Sequence, residues 1–505
     1  MNDQLDLLPG FLAAHLGLSL AALALGIAIS VPIGILVTRY RRLEVPVVGS
    51  AGVLQTIPSL ALLAFAVPAL AMLGLPSIGY LPALIGLSLY SLLPILRNTV
   101  AGLTSVDPAV IEAARGVGMT SGQSLWRVEL PLALPVIIAG IRTSAVWTVG
   151  TATLSTPVGA ASLGNYIFGG LQTRNYGSVL LGCVASAALA LAVDSLVHLL
   201  MRGIVQRQRR LTLLSVLGFV LLSAYAVAPI ARSVFGREDR PVIIGAKTFT
   251  ESYILAQVLA EQVRRQNGLP VQVLESMGST VVFDALVDGQ IDAYVDYSGT
   301  LWSTVLGHGD ARPARELLLA QVALELEQKY GITVIAPFGF ENTYALALRR
   351  DDARRLAVRR IGDLSPYVGR LRMGGDYELF QRSEWRAITS TYRLSFAEQR
   401  VMDPSLMYEA IRTRQVDVIA AYSTDGRIAA YDLVALQDDR GALPPYDAVI
   451  LVGGSLRRER PQVIEALRQL SGRVDAATMQ QLNRRVDEEK MTPAEVAQRF
   501  LDQQK

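Results

Sequence analysis

The sequence predicts a polytopic α-helical membrane domain of six spans, followed by a soluble α/β domain of two lobes. Three observations carry this prediction. Residues 1–230 hold only 19 charged side chains, 12 Arg against 7 Asp or Glu and no Lys, whereas residues 231–505 hold the other 72, 35 basic and 37 acidic. In the first part, apolar runs recur that are long enough to cross about 30 Å of hydrocarbon. In the second, short β-branched runs alternate with stretches whose apolar residues follow helical spacing. A chain of 505 residues that is 51% hydrophobic is too long for one ordinary domain and too apolar, taken whole, for a soluble one.

The apolar runs fall at 12–37, 47–73, 78–103, 132–155, 177–200 and 211–230. The first is too long for a signal-peptide core and lacks a clear small-residue cleavage site, so it reads as a retained anchor. Arg39, Arg41 and Arg42 follow the first run. Arg115 and Arg127 lie between the third and fourth, and Arg202, Arg207, Arg209 and Arg210 between the fifth and sixth. The opposite side has Arg174 in its short loops. Placing the basic side in the cytoplasm puts the N-terminus, and everything after about residue 236, outside it. Among the polar side chains inside spans, Arg142, Asp194 and His198 are singled out. Inserting an Arg or Asp at a helix centre costs roughly 2.5–3.5 kcal/mol, so each needs a partner. Asp194 and His198, four apart, are expected to pair locally; Arg142 is expected either to pack against neighbouring carbonyls or to line a pathway.

In the soluble part, "PVIIGAKTF" (241–249), "VQVLE" (271–275), "ITVIA" (332–336), "VDVIAAY" (416–422) and "DAVILV" (447–452) read as strands, and "ESYILAQVLAEQVRRQ" and "RELLLAQVALELEQKYG" as helices. The alternation predicts an α/β domain with parallel strands, long enough for two lobes. The composition also excludes several functions. The single cysteine, Cys183, rules out a disulfide within the chain, and three histidines (His15, His198 and His308) rule out a His-rich site. No nucleophile–base motif or metal-ligand cluster stands out, the arginines form no aromatic-laced basic face for nucleic acid, and no G-x-x-x-x-G-K-[ST] phosphate loop occurs.

One polar stretch interrupts the membrane part: "EAARGVGMTSGQSLWRVELP", Glu112 to Pro131. By pattern it is either a solvated amphipathic loop or a docking element for a cytosolic partner, and the spacing of Glu112-Ala113-Ala114, Gly118 and Leu130-Pro131 favours docking. Small residues let another surface approach closely, Glu112 offers a charge, and Pro131 is expected to end the loop before the fourth span. This stretch resembles the EAA loop of permease subunits in bacterial ABC importers. The resemblance implies the permease fold and a separate cytosolic ATPase that carries ATP and Mg, with no cofactor or metal on this chain. It also implies two permease halves, expected here as a homodimer.

Downstream, "IGAKTFTESYIL" (244–255), "DYSGT" (296–300), "FGFENTYALAL" (338–348), "AYSTDGRI" (421–428) and "PPYDAVIL" (444–451) follow in order. Together they resemble the extracytoplasmic binding proteins of the glycine betaine/choline uptake systems. The resemblance implies a type II periplasmic-binding-protein fold fused to its permease, with the membrane domain at 1–210, a sixth helix and linker at 211–236, and the binding domain at 237–505. Lobe 1 is then expected at about 241–343 and 449–505, lobe 2 at about 344–448, with chain crossings near Tyr344–Leu348 and Ala448–Val452. A trimethylammonium group has no N–H to donate and is held by aromatic faces at about 0.5–2 kcal/mol each. Tyr297, Tyr344, Tyr422 and Tyr446 match the family's cage positions. Lys247, Thr300 and Arg382 match its carboxylate-binding positions, which favours a betaine zwitterion over choline, with ergothioneine or another larger betaine as the alternative. Asn342 places a neutral amide where some relatives carry an acid, with Glu341 beside it, and Trp385 stands where many have a Gly-Tyr pair. The chain is thus expected to be a non-enzymatic transport subunit of the bacterial inner membrane, whose partners are the ATPase, the bilayer and a betaine but no nucleic acid. A membrane-bound betaine sensor, or an enzyme acting on a betaine, would leave the EAA spacing unexplained.

Overall fold

A computed structural model describes residues 2–173, 175–235, 240–308 and 313–504. Arg174 and the linker boundary expected near residue 236 lie outside these residues. The chain divides into two compact units, one of residues 1–168 and 177–238 and one of residues 169–176 and 239–505.

The first unit is helical. Helices α1 (Asn2–Arg39), α2 (Glu44–Thr56), α3 (Ser59–Met72), α4 (Tyr80–Thr104), α5 (Pro108–Gly116), α6 (Ser121–Ser124), α7 (Leu130–Thr151), α8 (Gly164–Gln172), α9 (Tyr176–Val205) and α10 (Arg209–Phe235) follow in order. Among the described residues five helices are long and apolar enough to cross a membrane, and six if α2 and α3, bent by 99° at Ile57–Pro58, form one broken span. All six apolar runs are therefore helical, but the second is not straight: Pro58 removes a donor where the chain turns. Small residues let α1 lie directly on α4. A Cβ on Gly26 would meet the Ser91 side chain, and one on Gly34 would come within 2.6 Å of Thr99. Several buried polar groups are satisfied inside this packing. His15 bridges the Val149 carbonyl at 3.0 Å and the Leu163 amide at 3.3 Å, and Ser144 donates to the Ser91 carbonyl.

Arg142 pairs with a carboxylate rather than packing on neighbouring carbonyls. Its guanidinium grips Asp194 through two bonds of 2.5 and 2.7 Å, and His198 stands 3.4 Å away. The acid four residues before His198 is thus taken by a cation from another helix, because a bidentate pair satisfies a carboxylate better than one imidazole contact.

The second unit has two five-stranded sheets. Strands β1 (Val242–Lys247), β2 (Val271–Met277), β3 (Ala293–Tyr297), β4 (Thr333–Glu341) and β10 (Asp447–Val452) form the first, in the order β2-β1-β3-β10-β4. Strands β5 (Tyr344–Arg349), β6 (Arg372–Gly375), β7 (Glu398–Val401), β8 (Val418–Tyr422) and β9 (Leu433–Ala435) form the second, in the order β7-β6-β8-β5-β9. The expectation of parallel strands holds for three strands of each sheet and fails elsewhere. Strand β10 runs antiparallel to β3 and β4, and β5 antiparallel to β8 and β9. The chain leaves the first sheet and returns to it, and the strand that follows each crossing, β5 or β10, runs against the other four of its sheet.

The crossings lie just before the segments expected to contain them. Tyr344–Leu348 is paired along its whole length with Val418–Tyr422, and Ala448–Val452 with Ala293–Tyr297. The chain changes lobe at Asn342–Thr343 and between β9 and β10. Backbone bonds fasten the two passages, Asn342 N–H to the Tyr446 carbonyl and Ser423 N–H to the Thr343 carbonyl, each 3.0 Å.

Candidate functional site

In open α/β sheets ligands gather at the carboxyl ends of the strands. Three of the site residues named from sequence are the last residues of parallel strands: Lys247 on β1, Tyr297 on β3 and Tyr422 on β8. Thr300 follows Tyr297 on a short helix that widens into a π-turn at Leu301–Val305, a distortion found often at functional sites. Asn342 stands at the first crossing, Tyr344 begins β5, and Tyr446 precedes β10. Arg382 joins two short helices of the second lobe, Tyr377–Gln381 and Ser383–Tyr392.

These side chains meet. Tyr344 lies 5.2 Å from Tyr422 and 6.0 Å, edge to face, from Tyr446, between ring centroids. Phe249 stacks on Tyr422 at 6.2 Å and approaches Tyr297 at 6.1 Å, so five rings follow one another across the two lobes. The Arg382 guanidinium lies over Tyr344 at 5.9 Å, its Nη1 is 3.5 Å from the Thr300 hydroxyl, and its side chain is almost fully buried. Lys247 is also buried, but its ammonium is held by Asp296 of its own lobe at 2.5 Å.

Two buried acids stand behind the rings. Glu384 accepts from the Tyr446 phenol at 2.7 Å and from Ser303 at 2.6 Å, and lies 3.8 Å from Arg382. Glu251, in the first turn of helix α11 (Thr250–Asn267), accepts four bonds. Tyr297 (2.6 Å) and Asn342 (2.8 Å) donate to one oxygen, Thr424 (2.6 Å) and Asn483 (2.9 Å) to the other. Burial pushes the Glu251 carboxyl up, against the downward pull of those four donors. Burial, and then the adjacent carboxylates, hold the Tyr297 and Tyr446 phenols well above their ordinary range, so both remain protonated donors. The second amide atom of Asn342, Oδ1, is buried without a hydrogen-bond partner.

Sequence reasoning missed Phe249, Glu251, Asp296, Glu384, Thr424 and Asn483. Phe249 and Glu251 were within reach, since "KTFTE" places an aromatic and an acid where the first strand hands over to its helix. Asn483 and Thr424 are joined to the site by folding alone. Glu341 does not face the site's tyrosines; it pairs with Arg315 at 3.0 Å. Trp385 packs on Phe380 and Phe396 in the second lobe, with centroids at 5.1 and 6.0 Å, and so builds core rather than pocket wall.

In the membrane unit, Asp107 caps α5, whose exposed face carries Glu112 and Ala113 while Ala114 is buried. Gly118 turns the chain at φ +84°, a conformation open to glycine at little cost. Thr120 and Gln123 then close a reciprocal capping box. The helix that follows does not stop at Pro131. It runs from α6 through a π-turn at Leu125–Glu129 into α7, with Leu130 and Pro131 directly after the π-turn. The expectation that Pro131 ends the loop is corrected accordingly. Glu129, buried in the π-turn, accepts from Arg39 at 2.7 Å and Ser124 at 3.0 Å and so ties the loop to the end of α1. Val117 and Trp126 stay exposed, as Glu112 does.

Comparison with known proteins bears on both units. Residues 240–503 match the substrate-binding domain of ABC-type glycine betaine transport systems, and residues 30–210 match the inner membrane component of binding-protein-dependent transport systems. The chain belongs to the ABC-type glycine betaine transport family. It is a permease fused to its substrate-binding domain, from an osmoprotectant-type ABC importer. A fused relative, the ergothioneine transport permease/ergothioneine binding protein EgtU of Helicobacter pylori, is 30% identical over 89% of this chain and 82% of its own length. The carnitine transport permease protein OpuCB of Listeria monocytogenes is 48% identical over 36% of this chain and 80% of its own. Among solved structures, a glycine betaine/carnitine/choline ABC transporter protein is 30% identical, with a TM-score of 0.46 over 52% of this chain and 98% of its own.

Proposed function

We propose that this importer chain binds a quaternary-ammonium zwitterion of the glycine betaine type in its second unit and passes it through its membrane helices. The observation that carries the reading is the run of rings Tyr297–Phe249–Tyr422–Tyr344–Tyr446 closed by the buried guanidinium of Arg382. Aromatic faces suit a cation that cannot donate hydrogen bonds. A buried guanidinium beside the Thr300 hydroxyl suits a carboxylate at the other end of the same ligand. The buried, unpartnered Oδ1 of Asn342 leaves the negative end of an amide dipole available to a ligand cation. Lys247, neutralised by Asp296, supports the carboxylate end less directly than Arg382.

A larger betaine such as ergothioneine is the second reading, favoured by the fused relative that spans most of this chain. Choline, lacking a carboxylate, would leave Arg382 without a ligand charge. The polar 112–131 segment, with Glu112, Ala113, Ala114 and Gly118 at its turn, serves as the grip of a separate cytosolic ATPase that carries ATP and Mg. Two copies of the chain then form the pathway in the bacterial inner membrane, with the binding domain on the extracytoplasmic side. The chain performs no covalent chemistry.

The test is calorimetric titration of the full-length chain in nanodiscs with glycine betaine, carnitine, ergothioneine and choline, repeated with Arg382→Ala. Tight binding of a carboxylate-bearing betaine that the variant loses supports the reading. Equal binding of choline, or indifference to the variant, overturns the carboxylate clamp.

A further inference from the structure

The acids around the rings differ in one respect. Asp296 is matched by Lys247 and Asp425 by Arg427, and Glu384 lies 3.8 Å from Arg382. Glu251 accepts only from neutral groups, and among the described residues no cation lies within ion-pair distance of it. A carboxylate buried without a cation is expensive to keep. Four donors fill its acceptor positions, two on each oxygen, as suits the ionised form. One of the four is the phenol of Tyr297, whose ring belongs to the cage.

Resting on the cage reading above, we infer that Glu251 is a positioning residue that charges the cage from behind. Tyr297 donates a hydrogen bond to the Glu251 carboxylate, and that bond raises electron density on its ring. A ring so polarised attracts a cation more strongly and leaves a neutral group of the same shape unaffected. Asn342 donates to the same Glu251 oxygen as Tyr297. Glu251 thereby selects trimethylammonium ligands over their uncharged isosteres without touching them.

The experiment titrates the full-length chain in nanodiscs with glycine betaine, carnitine and ergothioneine, and with the carbon isostere of each, in which C(CH3)3 replaces N(CH3)3+. Wild type, Glu251→Gln, Tyr297→Phe and the double variant are compared. For whichever zwitterion wild type binds, Glu251→Gln is expected to weaken it by about tenfold while its isostere changes by less than about twofold. Tyr297→Phe, which keeps the ring but cuts the bond, is expected to do the same, and the double variant no more than either. Equal weakening of zwitterion and isostere, an unchanged zwitterion, or additive losses in the double variant would each overturn the inference. Should Glu251→Gln not fold, Tyr297→Phe decides alone, because it leaves the carboxylate three donors. Wild type that binds no zwitterion overturns the cage reading itself, a result distinct from binding that is indifferent to Glu251.

Discussion

Arg382 stands in two relations at once: its guanidinium covers Tyr344, and its Nη1 reaches the Thr300 hydroxyl. Replacing it by alanine removes a charge-assisted, two-pronged donor, so affinity for a carboxylate-bearing betaine is expected to fall by about 2–3 kcal/mol, roughly 30–150-fold. Affinity for a carboxylate-free cation such as choline should hardly move. A second residue predicts a pH effect. Asp487 accepts from Thr250 at 2.7 Å, and burial pushes it up to about 6, with Arg427 pulling down and Asp425 pushing up. In the unfolded chain it ionises near 3.9, so the fold holds an extra proton between about pH 4 and pH 6. Its stabilising contribution is complete below about pH 4 and lost as pH rises through about 6. Asp487→Asn is expected to flatten the stability profile in that window, read by denaturant melts from pH 4 to pH 7.

At the scale of elements, the polar loop of the membrane unit depends on two devices. Gly118 at φ +84° lets α5 and α6 meet in a tight turn, and Gly118→Ala should cost about 1 kcal/mol locally. The Arg39–Glu129 pair holds the π-turn to α1, and removing Arg39 leaves Glu129 buried beside Ser124 without its cation. Arg39→Ala is expected to lower transport severalfold while ligand affinity stays within about twofold, since distant sites seldom couple. Vesicle uptake and calorimetry on the same preparation separate the two effects. A loss of affinity equal to the loss of uptake would sink the idea that this pair serves coupling. The lobe crossings show the same dependence on element context: Tyr344–Leu348 and Ala448–Val452 are ladder strands, and the changes of lobe fall in the short unladdered pieces beside them.

At the scale of the molecule, the two units bury separate cores under different rules. In one, glycines such as Gly26 and Gly34 bring helices together closely, and in the other two mixed sheets carry the site at their strand ends. Ligand at a hundredfold excess over its Kd should add about 2.7 kcal/mol to whichever unit holds the site. Calorimetric scanning with and without betaine is expected to raise the transition of the soluble unit and leave that of the helical unit in place. A shift confined to the helical transition would place the high-affinity site elsewhere.

The six apolar runs and the polar loop were legible in the residues because each signal is local. A span needs only its own length of apolar side chains, and a turn its own glycine. Tyr297, Tyr344, Tyr422 and Tyr446 were named from the family resemblance, each sitting in a short motif. The partners of charge were not legible. Asp194 answers to Arg142 rather than to His198, Lys247 to Asp296, Glu341 to Arg315, and Glu251 to four donors drawn from positions 297, 342, 424 and 483. Pairing of buried charges depends on distances of a few ångströms between residues up to 232 positions apart. No local pattern encodes such distances; they exist once the strands are in register and the chain has crossed between its lobes.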